Sequence, residues 1–417
     1  MTHRDLQRTL GTLAAAIVMI AGLQDLHAQS KLDIYGYFST RYEKTFETRS
    51  PQGVVGEASP AEWSYPFFNV MMQYQPAERF KVFVNLNGSN ASTIDVRNFW
   101  GEYSPSSYFT VRAGKIYRKF GLYNELLDAV PTYYGIEPPE LFDADHLILS
   151  RTTMLMVYGA VPAGDGSFNY SASTDNGEGS PMNGPEKGSF PLGYDLNYKF
   201  GGGDFTLGIS GYTSGGEATA NVGLGEGSPK SGVLPWMSGD KFSVFGGYGE
   251  AKVGFLTLQA EYWRSSHNAK RDPASIITIV GNTGLNTRQL ERFLIDPNGS
   301  LVDPANVRVD AQYTISTWYV RAGYSFETSL GEVGPYVQWD YYNNPETIAK
   351  KTYGGDAEAG EADDGVFNKS TVGVVYRPIP DVAVKFDQSF HFYKANGVNV
   401  RYPEVRLDLS FVFGNLF

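Results

Sequence analysis

The chain closes with the stretch VRLDLSFVFGNLF, residues Val405–Phe417. Apolar side chains at 405, 407, 409, 411 and 413 alternate with the polar or charged side chains of Arg406, Asp408 and Ser410. A period of two places neighbouring side chains on opposite faces of a β-strand. The stretch therefore predicts a strand with one apolar and one polar face, which continues to an aromatic carboxy-terminal residue, Phe417.

The beginning of the chain has the pattern of a secretory signal peptide. Arg4 and Arg8 precede an apolar run over 10–23, and a polar stretch then leads to Ala28. The run is shorter than the roughly 20 apolar residues that cross a bilayer, and charged, apolar and cleavage regions in this order are typical of an export signal. We expect residues 1–28 to be removed, which leaves a domain over 29–417; an uncleaved helical anchor is the alternative.

The composition favours a β-barrel in a membrane. Among the 417 residues are 28 Tyr, 26 Phe and 47 Gly, yet the mean hydropathy is only −0.28. This combination fits a barrel, because only alternate residues of its strands face lipid. The chain has no Cys and hence no disulfide framework, and a net charge of −11 argues against binding nucleic acid. A soluble β-sandwich or β-helix is the alternative fold.

The middle of the chain divides into amphipathic segments, which short turns and long connections separate alternately. We count about sixteen strands, an even number as in bacterial barrels. The short turns are predicted at 75–78, 104–107, 162–165, 201–204, 251–254, 327–331 and 378–381, and the long connections at 120–146, 175–188, 214–240, 265–310, 344–365 and 395–402. Aromatic residues that suit the interfacial girdles of the outward faces include Trp100, Phe168, Tyr170, Tyr194, Tyr198, Trp318 and Trp339.

The connection over 265–310 leaves the strand count open. Residues Ile276–Val280 read IITIV and could form a strand, and an added hairpin there would give about eighteen strands. Residues Thr287–Leu294 instead have helical spacing.

One hairpin carries a resemblance to a known family. Residues Asn98–Gly121 read NFWGEYSPSSYFTVRAGKIYRKFG. This unit is a strand, a turn that contains Pro, and a second strand with an Arg-x-Gly-Lys motif. It resembles Gram-negative outer-membrane porins, nearest the phosphate-selective porin O/P-like group. Lys119 replaces the proline expected before Phe120. The resemblance implies a passive diffusion channel for small hydrophilic solutes or ions in the outer membrane, in contact with lipid and lipopolysaccharide. It also implies recognition of Phe417 by the barrel assembly machinery, and a homotrimer.

The resemblance further implies a constriction. In such porins the third extracellular loop folds into the lumen and narrows it. Here the first loop runs to about Trp63, the second is the short connection Gly88–Ser92, and the third is Phe120–His146. The loop has no Lys or Arg between Gly121 and His146, and its acidic residues include Glu125, Asp128, Glu137 and Glu140. Strand alternation places six basic side chains in the lumen, and since the first and last strands of a barrel pair, they form one sector: Arg41, Lys81, Arg97, Arg112, Lys385 and Arg406.

An acidic loop that faces a basic wall predicts a transverse electric field at the constriction. Two alternatives stay open at this point: the loop caps the barrel from outside, or the wall bases pair with lumen carboxylates such as Asp33, Asp95 and Asp408. We expect the loop aromatics, Tyr123 and Tyr133 among them, to pack the loop against the wall.

Two other functional classes compete with a channel. A barrel enzyme with an active site at its rim lacks a Gly-x-Ser-x-Gly motif, and its only histidines after residue 28 are His146, His267 and His391. A filled structural or adhesin barrel is the third class. We expect no cofactor and no metal, because the oxygen-rich segment Asp296–Asp303 lacks a full calcium ligand set. The sequence does not identify the solute.

Overall fold

The computed structural model describes residues 31–46, 48–50, 53–55, 61–63, 66–89, 93–126, 129–140, 152–175, 190–215, 224 and 233–414. The predicted signal peptide, Asp128 of the third loop and the terminal Phe417 lie outside these residues.

Sixteen antiparallel strands form one closed barrel, which confirms the predicted fold class. Closure is direct, since the first and last strands pair with Arg41 opposite Asp408. The strands are β1 Lys31–Thr45, β2 Phe67–Ala77, β3 Phe80–Ser89, β4 Thr93–Ser106, β5 Phe109–Ile116, β6 Thr152–Ala163, β7 Gly166–Asp175, β8 Leu192–Phe200, β9 Phe205–Thr213, β10 Met237–Val253, β11 Leu256–Arg271, β12 Asp310–Tyr324, β13 Gly331–Asn343, β14 Val366–Ile379, β15 Val382–Ala395 and β16 Val398–Phe413.

Four further short strands occur among the described residues. Glu62–Trp63 and Phe326–Thr328 extend the barrel sheet, and Thr48–Ser50 pairs with Gly53–Val55 in a separate hairpin. In the part of the chain that the structure describes, no helix is long and apolar enough to cross a membrane.

Side chains alternate between the two faces of the barrel wall. On the outward face Leu207, Phe245 and Val320 are 62%, 56% and 48% exposed, whereas the inward neighbours Glu261 and Arg321 are buried. A closed barrel pairs every strand with two neighbours, so its backbone amides and carbonyls are satisfied without water, and the apolar outer face can lie in lipid.

A β-bulge reverses the alternation in β4 and makes the prediction for Trp100 wrong. Asn98 pairs with Asn85, but Val96 pairs with Leu86, so Arg97 is an extra residue. Beyond this bulge the even-numbered side chains of β4 point inward. Trp100 consequently stacks on the inward Phe83 with ring centroids 5.0 Å apart, whereas the predicted outward aromatics Phe168, Tyr194 and Trp339 are exposed.

The two ends of the barrel differ in their connections. At one end, which we call the short-turn end, turns of a few residues join the strands, as the sequence predicts. At the other end, which we call the long-loop end, most connections are longer. The long connection predicted at 395–402 is wrong: β15 and β16 meet in a two-residue turn of Asn396 and Gly397, with φ of 50° and 75°. Asn-Gly suits such a turn because both residues tolerate positive φ.

Helices at the long-loop end replace the extra hairpin considered for 265–310. Among the described residues, the helices are α1 Pro273–Asn282 and α2 Thr287–Phe293 in this connection and α3 Ala357–Glu361 after β13. Short 3₁₀ turns lie at Pro304–Asn306 and Lys351–Tyr353 in the same two connections, at Val130–Thr132 in the third loop, and at Gly201–Gly203 between β8 and β9 at the short-turn end. Ile276–Val280 is helical rather than extended, since the Asp272 carboxylate accepts from Ser275 N at 2.9 Å and so caps α1. The barrel therefore keeps sixteen strands, and the eighteen-strand alternative is wrong.

The helical connections pack against one another. Gln289 on α2 donates to the carbonyl oxygens of Thr347 and Gly360 at 3.1 and 2.6 Å, and Arg271 binds Glu346 through two hydrogen bonds of 2.5 and 2.8 Å. Burial alone would raise the pKa of the Glu358 carboxyl, but hydrogen bonds from His391 and Tyr402 lower it to about 2. These contacts join the connections after β11 and β13 into one cap over their side of the barrel.

Candidate pore constriction

The described parts of the third loop, residues 117–126 and 129–140 between β5 and β6, enter the barrel. Its first part turns at Gly121, where φ is 65°, and the amide of Gly121 donates to Ser210 Oγ at 3.2 Å. The next amide, of Leu122, donates to Glu261 Oε1 at 3.2 Å. Ser210 and Glu261 lie on the inward faces of β9 and β11, so this part of the loop lies inside the barrel, as expected.

Lys385 on β15 fixes the middle of the loop. Its fully buried ammonium donates to three main-chain carbonyl oxygens of the loop, those of Val130 at 2.6 Å, Tyr133 at 2.7 Å and Gly135 at 2.8 Å. Asp387, two residues along the strand, accepts from the amide of Ile136 at 2.8 Å. The Lys385 charge is thus engaged by the loop backbone instead of being presented to the open lumen.

Glu137 joins the loop to the basic sector across the closing strands. Its carboxylate accepts from Arg41 on β1 at 3.0 Å and from Arg406 on β16 at 2.5 Å. Glu140 forms an ion pair with Lys369 on β14, and its amide donates to Asp340 at 3.2 Å. Sequence reasoning missed Lys369, although the alternation of β14 would have placed it inward. Loop acids and wall bases are therefore in direct contact here.

Arg112 forms a second charged cluster where the loop begins. Its guanidinium lies 4.1 Å from the Trp100 ring and 5.0 Å from the Tyr158 ring, and Nε donates to Glu102 at 2.8 Å. Glu125 of the loop lies 3.6 Å from Arg112 and 2.8 Å from Lys119. Sequence reasoning missed Glu102 in this cluster, because it is the β4 bulge that turns this side chain inward.

The remaining predicted bases lie on β3 and β4. Lys81 is partly exposed, with Nζ 3.9 Å from Glu102. Arg97, the bulged residue, donates to Asn87 Oδ1 at 3.3 Å. Lys81 therefore belongs to the cluster around Arg112, whereas Arg97 lies five residues away from Glu102 along β4, toward the long-loop end.

The loop aromatics pack the loop against the wall. Tyr123 and Tyr133 are buried and meet edge to face at 5.2 Å, while Tyr134 covers Gly323 on β12. A Cβ at Gly323 would lie 2.5 Å from the Tyr134 ring, so the glycine makes room for this contact. Phe142, His146 and the acidic residues Asp143 and Asp145 lie outside the described residues.

A hydrogen-bonded Ser265–His267–Asp240 chain lies elsewhere on the inner wall. His267 Nε2 lies 2.7 Å from Ser265 Oγ, and Nδ1 lies 2.7 Å from Asp240 Oδ2. The order resembles a nucleophile, base and carboxylate. Ser265 and Asp240 are both 0% exposed, however, and the imidazole is stacked on Tyr313 at 4.4 Å, so the hydroxyl has no contact with solvent. We interpret this row of hydrogen-bonded side chains as structural.

A closed sixteen-stranded barrel with an apolar outer wall and a loop folded into a charged lumen defines an outer-membrane diffusion channel. A family model described as Gram-negative porin matches residues 12–387, and the chain belongs to this family. Its location is the outer membrane. Membership of the family favours a channel without enzymatic chemistry. The finer resemblance to the phosphate-selective O/P-like group stays a prediction.

Several solved porin structures share the fold. The anion-selective porin from Comamonas acidovorans is 13% identical with a TM-score of 0.54, covering 92% of this chain and all of its own. The outer membrane channel DcaP of Acinetobacter baumannii is 10% identical with a TM-score of 0.53, covering 93% and 99%. Salmonella typhi OmpF, solved with daunomycin, is 12% identical with a TM-score of 0.50, covering 92% and 98%. No curated protein matches the sequence.

Proposed function

We propose that this porin passes small hydrophilic solutes or ions through an aperture bounded by the third loop and the basic wall. The binding of Glu137 by Arg41 and Arg406 supports this best, because it seats an acidic loop residue on the predicted basic sector. The constriction residues in this proposal are Arg41, Lys81, Arg97, Arg112, Lys385, Arg406, Glu125, Asp128, Glu137 and Glu140. Lys385 contributes by positioning the loop.

Planar-bilayer recording tests this function against the competing classes. Purified protein added to a lipid bilayer should produce stable, ohmic conductance steps, since a water-filled lumen conducts ions at all times. A filled structural barrel or a rim enzyme would give none. Hydrolysis of a chromogenic ester or of a phospholipid by the same preparation would contradict the absence of enzymatic activity that we propose.

We also propose the partners and the processing that this location requires. The exported chain loses residues 1–28, inserts among outer-membrane lipid and lipopolysaccharide, and assembles as a homotrimer. Mass spectrometry of the mature protein should give a chain that begins at Gln29, and cross-linking in the membrane should give a species of three chains.

Phe417 acts as an assembly signal in this proposal. Removing it should lower the amount of inserted barrel several-fold and raise periplasmic degradation, because the last strand is recognised before it pairs. Quantitative blotting of outer-membrane fractions measures the effect. Channels that do insert should keep the parental conductance, and parental insertion levels after the deletion would refute the assignment.

A further inference from the structure

A cavity of about 440 Å³ lies within the barrel near the short-turn end. The start of the third loop, including Lys119 and Glu125, covers one side of it. Strands from β5 to β11 form the other side, with lining residues that include Tyr158, Asn169, Asn197 and Tyr248. This volume is in the range of small-molecule sites, about 300–1,000 Å³. We call this space the lower chamber.

One wall of the lower chamber is a connected row of hydrogen-bonding side chains on β7, β8 and β10. Tyr248 Oη donates to Asp195 Oδ2 at 2.8 Å, and Asn197 Nδ2 donates to Asp195 Oδ1 at 2.9 Å. Asn169 Nδ2 in turn donates to Asn197 Oδ1 at 2.9 Å. Each planar group is held by its neighbour, so the row presents polar groups in fixed orientations and little rotamer entropy is lost when a solute binds.

The lining carries both signs of charge: the carboxylates of Glu125, Asp195 and Glu250 and the ammonium groups of Lys119 and Lys199. Most of these groups already have partners in the protein. Lys119 pairs with Glu125 at 2.8 Å, while Glu250 accepts from Gln259 at 2.6 Å and lies 3.3 Å from Lys252. A charged solute would have to compete with these pairs and would meet both signs of charge at once. A neutral solute with hydroxyl groups can donate to the carboxylates and accept from the amides and ammonium groups without separating any ion pair.

Two tyrosines border the polar row, but their rings are largely covered: Tyr248 is 7% exposed, and Lys119 Nζ and the Arg112 guanidinium lie 4.8 and 5.0 Å from the Tyr158 ring. Tyr158 is fixed by hydrogen bonds to Glu102 and from Arg112, the latter at 2.8 Å, and Tyr248 is fixed by Asp195. Hydrogen-bonding groups held in fixed orientations match a ligand that carries several hydroxyl groups.

We propose that the lower chamber is a binding site for a neutral carbohydrate of one or two rings. The inference rests on the proposed function, since the solute reaches the chamber through the pore. It adds the class of solute that binds inside the pore.

Sugar-dependent interruption of single-channel current tests this inference. Maltose added to the wild-type channel should produce brief interruptions whose frequency rises with its concentration. Asn197→Leu removes the middle of the polar row and should shorten them about fivefold or more, as expected for the loss of about two neutral hydrogen bonds. Tyr248→Phe should shorten them less, because the ring stays. Asn268→Leu, on the outward face of β11, is the matched control and should behave as wild type.

The outcomes separate the site from the channel. Absence of conductance in every variant overturns the proposed function, and the carbohydrate site with it. Normal conductance without interruption by maltose overturns the site alone. Stronger interruption by glucuronate or phosphate than by maltose overturns the neutral class in favour of an anion site. Parental interruptions in conducting Asn197→Leu channels show that the sugar binds elsewhere, which also overturns the proposal.

Discussion

Replacing Lys385 with methionine should free the third loop from the barrel wall. The ammonium satisfies three loop carbonyl oxygens at 2.6–2.8 Å in a site without solvent exposure, and methionine has no donor to offer them. Each buried acceptor left without a donor costs about 1–3 kcal/mol, enough to detach a loop segment. Single-channel recordings should therefore show rapid fluctuation between current levels in place of steady steps.

Lys241→Met is the matched control for this variant. Lys241 lies on β10 with an exposed side chain, so its replacement removes the same charge without touching the loop. It should leave the current steady. A steady Lys385→Met channel of parental conductance would mean that the remaining contacts, such as Asp387 with the Ile136 amide, hold the loop alone. The anchoring role of Lys385 would then be refuted.

Neutralising the loop acids should shift selectivity toward anions. In the combined change of Asp128→Asn, Glu137→Gln and Glu140→Gln, the guanidinium groups of Arg41 and Arg406 lose the carboxylate that lies 3.0 and 2.5 Å away. One charge a few ångströms from an ion is worth roughly 1 kcal/mol in water, so the permeability ratio should change several-fold. Reversal potentials in a salt gradient measure it.

Neutralising the wall should have the opposite effect. In the double variant, Arg112→Gln leaves Glu102 and Glu125 with fewer cationic partners and Arg97→Gln removes another positive charge from β4, so cations should be favoured. Both shifts should shrink at high salt, which screens lumen charges. Glu291→Gln, exposed on α2, is the charge control and should shift little. Unchanged reversal potentials in the loop variant would place the selective constriction away from this loop, most simply beneath the cap of α1 and α2.

The strand pattern could be predicted from the sequence because it depends on local chemistry. Alternation along residues 405–413 predicts one apolar and one polar face, and β16 has both. Closure follows because open edges are unfavourable in lipid. Local chemistry also explains why the strand considered at 276–280 is wrong. An apolar run fits a buried helix as well as a strand. Here the cap by Asp272 stabilises the helix.

Only the tertiary structure decides which partner each lumen residue contacts. One inserted residue at Arg97 reverses the alternation of β4, and this turns Trp100 and Glu102 toward Arg112. Lys385 and the Val130 carbonyl are 255 positions apart in the chain, yet their atoms lie 2.6 Å apart. Periodicity tells which face of a strand a side chain occupies. It carries no information on height in the barrel or on the path of a loop, because both depend on the register of distant strands and on a fold that closes around the loop.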